Sequence, residues 1–424
     1  MIRRFKITNY KSLQDVEVVL PNLVVIFGPN AAGKSNLFDA LNLFARLVTK
    51  KNLKEAFEGH RGVPLEAVHY SRGDVSSLQE KEYHTISFSA DVELSEPVVK
   101  TVEARVRELR RGIDNTDSPT QDKNIITHRL LRYDLELQVS SRSGQVRVMN
   151  ERLSALRVDG AEKASRTPFV EKVNSKISLR MEGQSHPTYH DVGLDYTVVS
   201  TALYAPHYPH ITAFREELSR CHFYYFEPRE LMRQGNAIAD VTNIGPRGEE
   251  LAAFYFTLSE GKNKPQFKAI KLAAKQILPH LKDLDIVRND KAELFLRVCE
   301  DDASYSNRLI SEGTLRVLGL LAALSPVTGS TTIGYEEPEN GVHPRRLRKI
   351  AELLKNAADN DRQILINTHS PVLPSYFSDK ELLVCRRTGR GTEFIPFSTT
   401  GALFRSHDIE QNLEEEIVRG DFGG

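Results

Sequence analysis

The first 27 residues alternate between apolar and polar positions. Ile2, Phe5, Ile7 and Tyr10 leave Arg3, Arg4 and Lys6 between them, and Val16, Val18 and Leu20 continue the pattern. A period of two predicts strands. A turn at Pro21-Asn22 leads into Leu23-Val-Val-Ile-Phe27, which is apolar throughout. Such a run predicts a strand buried on both faces. Past a Gly-rich stretch, Leu37, Ala40, Leu41, Phe44 and Leu47 recur at helical spacing and predict an amphipathic helix.

From about 49 to 215 the pattern weakens. Tyr83 to Leu94 alternates like a strand. Tyr133 to Val139 and Gln145 to Met149 read as a hairpin around Ser141–Gly144. Gly112 to Lys123 is polar and Pro-bearing and reads as a loop. Between 150 and 215 short strands and helices mix without a clear order. Regular signals return near 222: a strand at Phe223–Phe226, helices at Gly248–Leu258 and Phe267–Leu278, a strand at Leu294–Cys299, and a turn at Glu300–Asp302. A helix over Gly313–Leu324, a strand over Thr332–Tyr335 and a helix opening at Pro344 follow. Strands at Gln363–Asn367 and Glu381–Cys385 and a charged, helical tail from Asp408 complete the reading. No heptad array predicts a long coiled coil, and no internal repeat appears.

Composition narrows this picture. A chain of 424 residues fits one large α/β domain with an insertion. The three cysteines, Cys221, Cys299 and Cys385, form no CxxC pair, so neither a zinc site nor a disulfide framework is expected and a reducing cytoplasm fits. Apolar runs are strand-length, so no membrane helix or signal peptide is expected. Lys plus Arg and Asp plus Glu both number 57. The zero net charge removes any global argument for nucleic-acid binding and leaves DNA contact to local basic patches.

The Gly-rich stretch is Gly28-Pro29-Asn30-Ala31-Ala32-Gly33-Lys34-Ser35, a full GxxxxGK[ST] loop. Its backbone N–H groups can form an anion nest, and the following helix N-terminus adds partial positive charge. Lys34 would reach the β- and γ-phosphates of ATP, and the Ser35 hydroxyl would bind Mg²⁺. The motif stands between a buried strand and an amphipathic helix, as that chemistry requires. Glu336-Glu337-Pro338 follows a short strand and supplies two carboxylates: Glu336 for Mg²⁺, Glu337 to polarise the attacking water. Ser311-Glu312-Gly313-Thr314 precedes a helix, where Ser and Gly can bind a second anion or simply cap the helix. His369, in Asn367-Thr-His-Ser-Pro371, closes a strand and could donate to a γ-phosphate oxygen.

Together these motifs resemble the ABC-type ATPases of the RecF, SMC and OLD group. Phe5-Lys-Ile-Thr-Asn9-Tyr-Lys11-Ser12 resembles that group's opening strand, and GPNAAGKSN its Walker A motif with Asn36. Leu309–Arg316 resembles its signature motif, Glu336–Pro344 its Walker B motif and D-loop, and Thr368-His-Ser370 its switch histidine. The resemblance covers roughly residues 1–50 and 222–390. It implies an ABC-type P-loop NTPase head of the α/β class with a β-rich lobe and an inserted α+β region. The head would be split into residues 1–48 and 216–424, with the lobe and insertion at 49–215. The 302 residues between Lys34 and Glu337 suit that split.

The resemblance further implies a homodimer, or a higher oligomer, closed through ATP. Ser311 and Gly313 of one copy would face Walker A of the other, and Asn340 and His343 would touch the interface. Lys11 is read as approaching the phosphates. Three departures stand out: Glu336 where many heads carry Asp, Glu312 where a small residue is common, and no convincing glutamine for the lid loop. Relatives with a nuclease carry a Toprim domain after the ATPase, and the 55 residues after His369 leave no room for one. A separate effector, a nuclease or a toxin, is therefore expected.

Asp283-Leu-Asp285 resembles a metal pair in type only. Basic clusters at Arg105–Arg111 and Arg345–Lys349 are candidates for DNA or an acidic partner. Three functions follow: an ATP-gated regulator of a separate effector in bacterial anti-phage defence, a RecF-like repair ATPase on DNA, or a nucleotide-stabilised scaffold with negligible turnover.

Overall fold

The apolar run at 23–27 forms β3 (Leu23–Phe27), buried at every position. Val24 and Ile26 enter one hydrophobic core, and Leu23, Val25 and Phe27 enter another on the opposite face. That double burial is why the run does not alternate. β3 lies inside a six-stranded sheet of order β10–β15–β16–β3–β17–β18. Its other strands are β10 (Cys221–Tyr224), β15 (Thr332–Glu336), β16 (Gln363–Asn367), β17 (Leu382–Thr388) and β18 (Gly391–Pro396). From β10 to β17 all neighbours are parallel, and only the β17–β18 pair is antiparallel. The structure is a computed structural model that describes residues 1–70, 75–111, 124–184, 186–301, 303–389 and 391–399. The loop read at Gly112–Lys123, the end of the Glu300–Asp302 turn and the tail from Asp408 lie outside the described residues.

Helices cover both faces of this sheet. The first core holds α1 (Lys34–Thr49), α3 (Glu96–Arg111) and α4 (Pro209–Ser219). The second holds α5 (Leu251–Ser259), α6 (Lys264–Ile277), α7 (Glu312–Ala323) and α8 (Leu347–Ala357). α6 shows the rule behind them: Phe267, Ile270, Ala274 and Ile277 are its buried residues, at steps of three and four, which stack one face of a helix. A five-residue helix, α2 (Leu53–Phe57), packs on α1. Pro344 opens a single 3₁₀ turn that leads directly into α8.

The first two strands belong to a different sheet. β1 (Ile2–Tyr10) and β2 (Leu13–Val19) join β4 (Tyr83–Glu93), β5 (Leu130–Ser140), β6 (Val146–Ala155), β7 (Val170–Val173), β8 (Lys176–Leu179) and β9 (Thr188–Asp191) in one antiparallel sheet. The chain thus opens in the lobe and crosses into the head sheet only at β3. Phe44 of α1 welds the two: its ring lies 5.6 Å from Phe5, 6.1 Å from Phe88 and 5.9 Å from Tyr133, distances at which aromatic pairs attract beyond simple burial.

A smaller sheet holds β11 (Asn236–Ala237), β12 (Leu281–Arg288), β13 (Glu293–Glu300) and β14 (Ala303–Ser306). Asp283 and Asp285 lie on β12, where Lys271 sits 2.9 Å from Asp283 and Arg297 sits 3.3 Å from Asp285. Cations already answer both carboxylates, and no group of three or more His, Cys, Asp or Glu side chains among the described residues is arranged to hold a metal. Among the described residues no helix is long and apolar enough to cross a membrane.

Candidate functional site: the P-loop and the strand ends around it

The Gly-rich loop leaves the C-terminal end of β3 and returns as α1. At Gly28 the backbone takes φ 145°, and a Cβ there would sit 2.0 Å from the Cys385 carbonyl oxygen. Only glycine fits that close approach to β17. Asn30 and Ala31 form the exposed tip of the loop, beside Pro29, and Ala32 is buried. Gly33 caps α1 without any side-chain bond, so no capping group competes with an anion for the first-turn amides. Thr392 of β18 donates from Oγ1 to the Ala32 carbonyl at 2.7 Å and meets Ser12 Oγ at 2.7 Å. Asn36 Nδ2 donates to the same Ser12 hydroxyl at 2.8 Å. Asn36 is thereby tied to Ser12, the residue that Thr392 also joins.

Lys34 is buried, and its ammonium donates to the carbonyls of Gly28 at 2.7 Å and Pro29 at 2.9 Å. Burial pulls its pKa down, while Cys385 and the carboxylates of Glu337, Glu339 and Glu336 pull it up. Ser35 Oγ donates to Glu336 Oε2 at 3.1 Å and accepts from Asn367 Nδ2 at 3.2 Å. Glu336 closes β15, where burial raises its pKa. Its other oxygen accepts from Arg61 Nη2 at 3.0 Å.

Arg61 anchors a charge network that no motif announces. Its guanidinium packs 4.9 Å from the Tyr225 ring centre and 3.5 Å from Asp39 Oδ1. Lys11 Nζ holds the other Asp39 oxygen at 2.9 Å and donates to the Arg61 carbonyl at 3.0 Å. Lys11, read from sequence as approaching the phosphates, is thus engaged by a carboxylate of α1. Asp39 and Arg61 carry no motif; only the fold brings them beside Glu336.

Glu337 adopts a left-handed φ of 56°, an uncommon conformation for a non-glycine residue. Its N–H donates to the Asn367 carbonyl at 2.7 Å. One carboxylate oxygen lies 3.1 Å from His369 Nδ1, and the other accepts from Asn340 Nδ2. Glu339, two residues on, accepts from Thr368 Oγ1 and from the Ser370 N–H, and burial raises its pKa. Its second oxygen is buried with no partner among the described residues. Walker A, Glu336, Glu337 and His369 therefore converge at the C-terminal ends of adjacent parallel strands, the end at which open α/β sheets bind ligands.

The structure does not bring Ser311 and Gly313 into that cluster. Among the described residues no hydrogen bond or ion pair links them to the P-loop. Ser311 is exposed and caps α7, accepting from the Thr314 N–H at 3.1 Å. Glu312 pairs with Arg229 at 2.7 Å. Gly313 is buried against Gly341: a Cβ on Gly313 would lie 2.2 Å from the Gly341 carbonyl oxygen. His343 caps the 3₁₀ turn at Pro344, accepting from the Arg345 N–H at 3.3 Å. The nearby basic cluster is partly engaged: Arg346 and Lys349 donate to the carbonyls of Ile277 and Gln276 at the end of α6, where cations suit the helix dipole.

The donor set suits a divalent cation. Ser35 Oγ, the Glu336 carboxylate and the buried, unpartnered Asn367 Oδ1 are hard oxygen ligands or hydrogen-bond acceptors of the kind Mg²⁺ and its waters take.

A family model described as "AAA ATPase domain" matches residues 1–157. One described as "AAA domain, putative AbiEii toxin, Type IV TA system" matches residues 206–375. No curated protein matches in sequence. The fold is similar to that of an SMC head bound to the C-winged helix domain of ScpA, with TM-score 0.52 and 11% identity over 93% of this chain and 97% of that one. An SMC head domain from Thermotoga maritima gives TM-score 0.40 and 10% identity over 93% and 98% of the two chains. An SMC head from Pyrococcus furiosus, bound to the C-terminal domain of ScpA, gives 0.43 and 12% over 93% and 95%. Two AAA models thus match the stretches that carry the P-loop and the Glu336–His369 cluster, and the fold is similar to that of an SMC head.

Proposed function

We propose that this chain binds and hydrolyses ATP with Mg²⁺ at Gly28–Asn36, and that ATP closes two copies of it into a dimer. The observation that carries the reading is the bond from Ser35 to Glu336 beside the His369–Glu337 pair. It supports a reading in which Ser35 and Glu336 hold the metal and Glu337 acts as base beside His369, at the ends of adjacent strands. Lys34 would leave the Gly28 and Pro29 carbonyls for phosphate oxygens, a stronger, charge-assisted acceptor. Ser35 and Glu336 would hold Mg²⁺, which neutralises phosphate charge when bound. Glu337 would take a proton from the attacking water, and His369 would donate to the γ-phosphate. Ser311 and Gly313 would complete the site from the second copy, their exposed helix N-terminus meeting the partner's nucleotide.

In this reading the expected division into a head at 1–48 and 216–424 and a lobe and insertion at 49–215 shifts at its start, because β1 and β2 belong to the lobe's sheet and the head sheet begins at β3. The chain works in the cytoplasm and controls a separate effector, a nuclease or toxin, in anti-phage defence. Two points support that role. The model matching residues 206–375 carries a toxin–antitoxin description, and the SMC head of similar fold is bound to a domain of another protein.

The test is Glu337→Gln. ATP binding is expected to persist, measured by calorimetry, while phosphate release falls by roughly 100-fold or more, the range that a general base contributes. Unchanged turnover would remove Glu337 from the chemistry.

A further inference from the structure

Asn367 closes β16, the strand between β15 and β3. It pairs in register with Glu336 on one side and with Ile26, just ahead of the P-loop, on the other. It is 2% exposed. Two of its polar groups meet residues of the site, and a third is left without a partner. Its Nδ2 donates to Ser35 Oγ at 3.2 Å, and its carbonyl accepts from the Glu337 N–H at 2.7 Å. Its Oδ1 is buried with no hydrogen-bond partner among the described residues.

The amide orientation follows from proton counting. Ser35 has one hydroxyl proton, and Glu336 Oε2 receives it at 3.1 Å. Ser35 can then only accept from Asn367, so Nδ2 must face it and Oδ1 must point elsewhere. Rotating the amide would set an acceptor against Ser35 and strand the two amide protons instead. A buried acceptor without a donor is unfavourable and rare in folded proteins. It is explained if a donor arrives with the ligand.

We propose that Asn367 is a positioning residue of the metal shell, which rests on the reading of this site as an Mg²⁺–ATP site. Its Oδ1 accepts a hydrogen bond from water carried by Mg²⁺ at Ser35 and Glu336. Its carbonyl meanwhile holds the Glu337 N–H, and with it the left-handed turn that sets that carboxylate. One residue so ties the metal to the placement of the proposed base. Sequence motifs mark its neighbours Thr368 and His369 but leave Asn367 as a strand-end polar residue.

The experiment is binding of a fluorescent ATP analogue to the full chain, titrated with Mg²⁺ and repeated in EDTA. For Asn367→Ala the Mg²⁺ midpoint should rise about tenfold, the loss expected for one hydrogen bond. Affinity in EDTA should stay within about twofold. Asn367→Asp keeps an acceptor, so its midpoint should equal the wild-type value or fall below it. An unchanged midpoint in Asn367→Ala, or a tenfold rise in Asn367→Asp, overturns the assignment. If circular dichroism shows that Asn367→Ala does not fold, the aspartate variant decides. Wild-type binding that ignores Mg²⁺ and equals that of Lys34→Ala would defeat the nucleotide site itself. Mg²⁺-dependent wild-type binding with an unresponsive Asn367→Ala would defeat the role of Asn367 alone.

Discussion

Around the P-loop, side chains from distant parts of the chain are already joined. Lys34 sits on two carbonyls, Ser35 on Glu336, Glu336 on Arg61, and Glu337 on His369 and Asn340. The signature helix differs. Among the described residues Ser311 bonds within its own first turn, and α7 begins at the surface on a backbone contact between Gly313 and Gly341. The first region is a site organised in one chain, with anionic and cationic groups balanced before ligand arrives. The second is a helix N-terminus with an exposed cap and, among the described residues, no bond from Ser311 or Gly313 to the P-loop. That difference is what the dimer reading needs, since half of a composite site must be idle in the single copy.

The sharpest way to break the comparison is to remove the ligand from the organised half. Lys34→Ala should lower ATP affinity by roughly 100-fold or more, because a charge-assisted phosphate contact is lost and the loop carbonyls lose their donor. Dimer formation should vanish with it. Calorimetry and sedimentation at matched concentrations check both. Unchanged ATP affinity would remove the P-loop assignment.

How much of this could be read from the chain differs by region for physical reasons. β3 and β16 are buried on both faces, so their apolar runs stand out, and the P-loop motif between β3 and α1 is fixed by its own local geometry. β7, β8 and β9 are four residues each, and β9 shows no buried position, so no periodicity marks it. The same limit hid Arg61, Asp39 and Asn367. Each acts through a partner more than 20 residues away, and spacing along the chain carries no trace of such contacts. Asp283 and Asp285, a metal pair in type only, stand two apart on a strand and share a face, and there Lys271 and Arg297 meet them.

A smaller and more selective break targets the second half. Gly341 has φ +77°, and a Cβ there would lie 2.6 Å from Gly313 Cα. Gly341→Ala must therefore push the D-loop and the start of α7 apart. ATP affinity of the single copy should stay within about threefold, since no P-loop contact changes. Dimerisation with ATP, followed by light scattering in the Glu337→Gln background, should weaken by about tenfold or more, the scale of an overpacking penalty of 1–3 kcal/mol. Lys34→Ala and Gly341→Ala would then separate binding from closure. Equal loss of both functions in Gly341→Ala would mean that the two regions are not independent.

The least effect is expected from the charge beside the idle cap. Glu312 would place a carboxylate near the partner's phosphates, but Arg229 pairs with it at 2.7 Å, and both are largely exposed, at 42% and 82%. Exposed pairs add little to folding, so Arg229→Ala should leave the melting temperature unchanged within error. What changes is the field at the open helix N-terminus. With Arg229 gone the Glu312 charge stands uncompensated, and ATP-dependent dimerisation should weaken by a few-fold at low salt and recover as salt screens the repulsion. Glu312→Gln should do the reverse and tighten closure slightly, with its largest gain at low salt. If Arg229→Ala instead weakens the dimer as strongly as Gly341→Ala and salt does not restore it, then Arg229 makes a direct contact across the interface. The signature half would then be built from more than the helix cap and its glycine hinge.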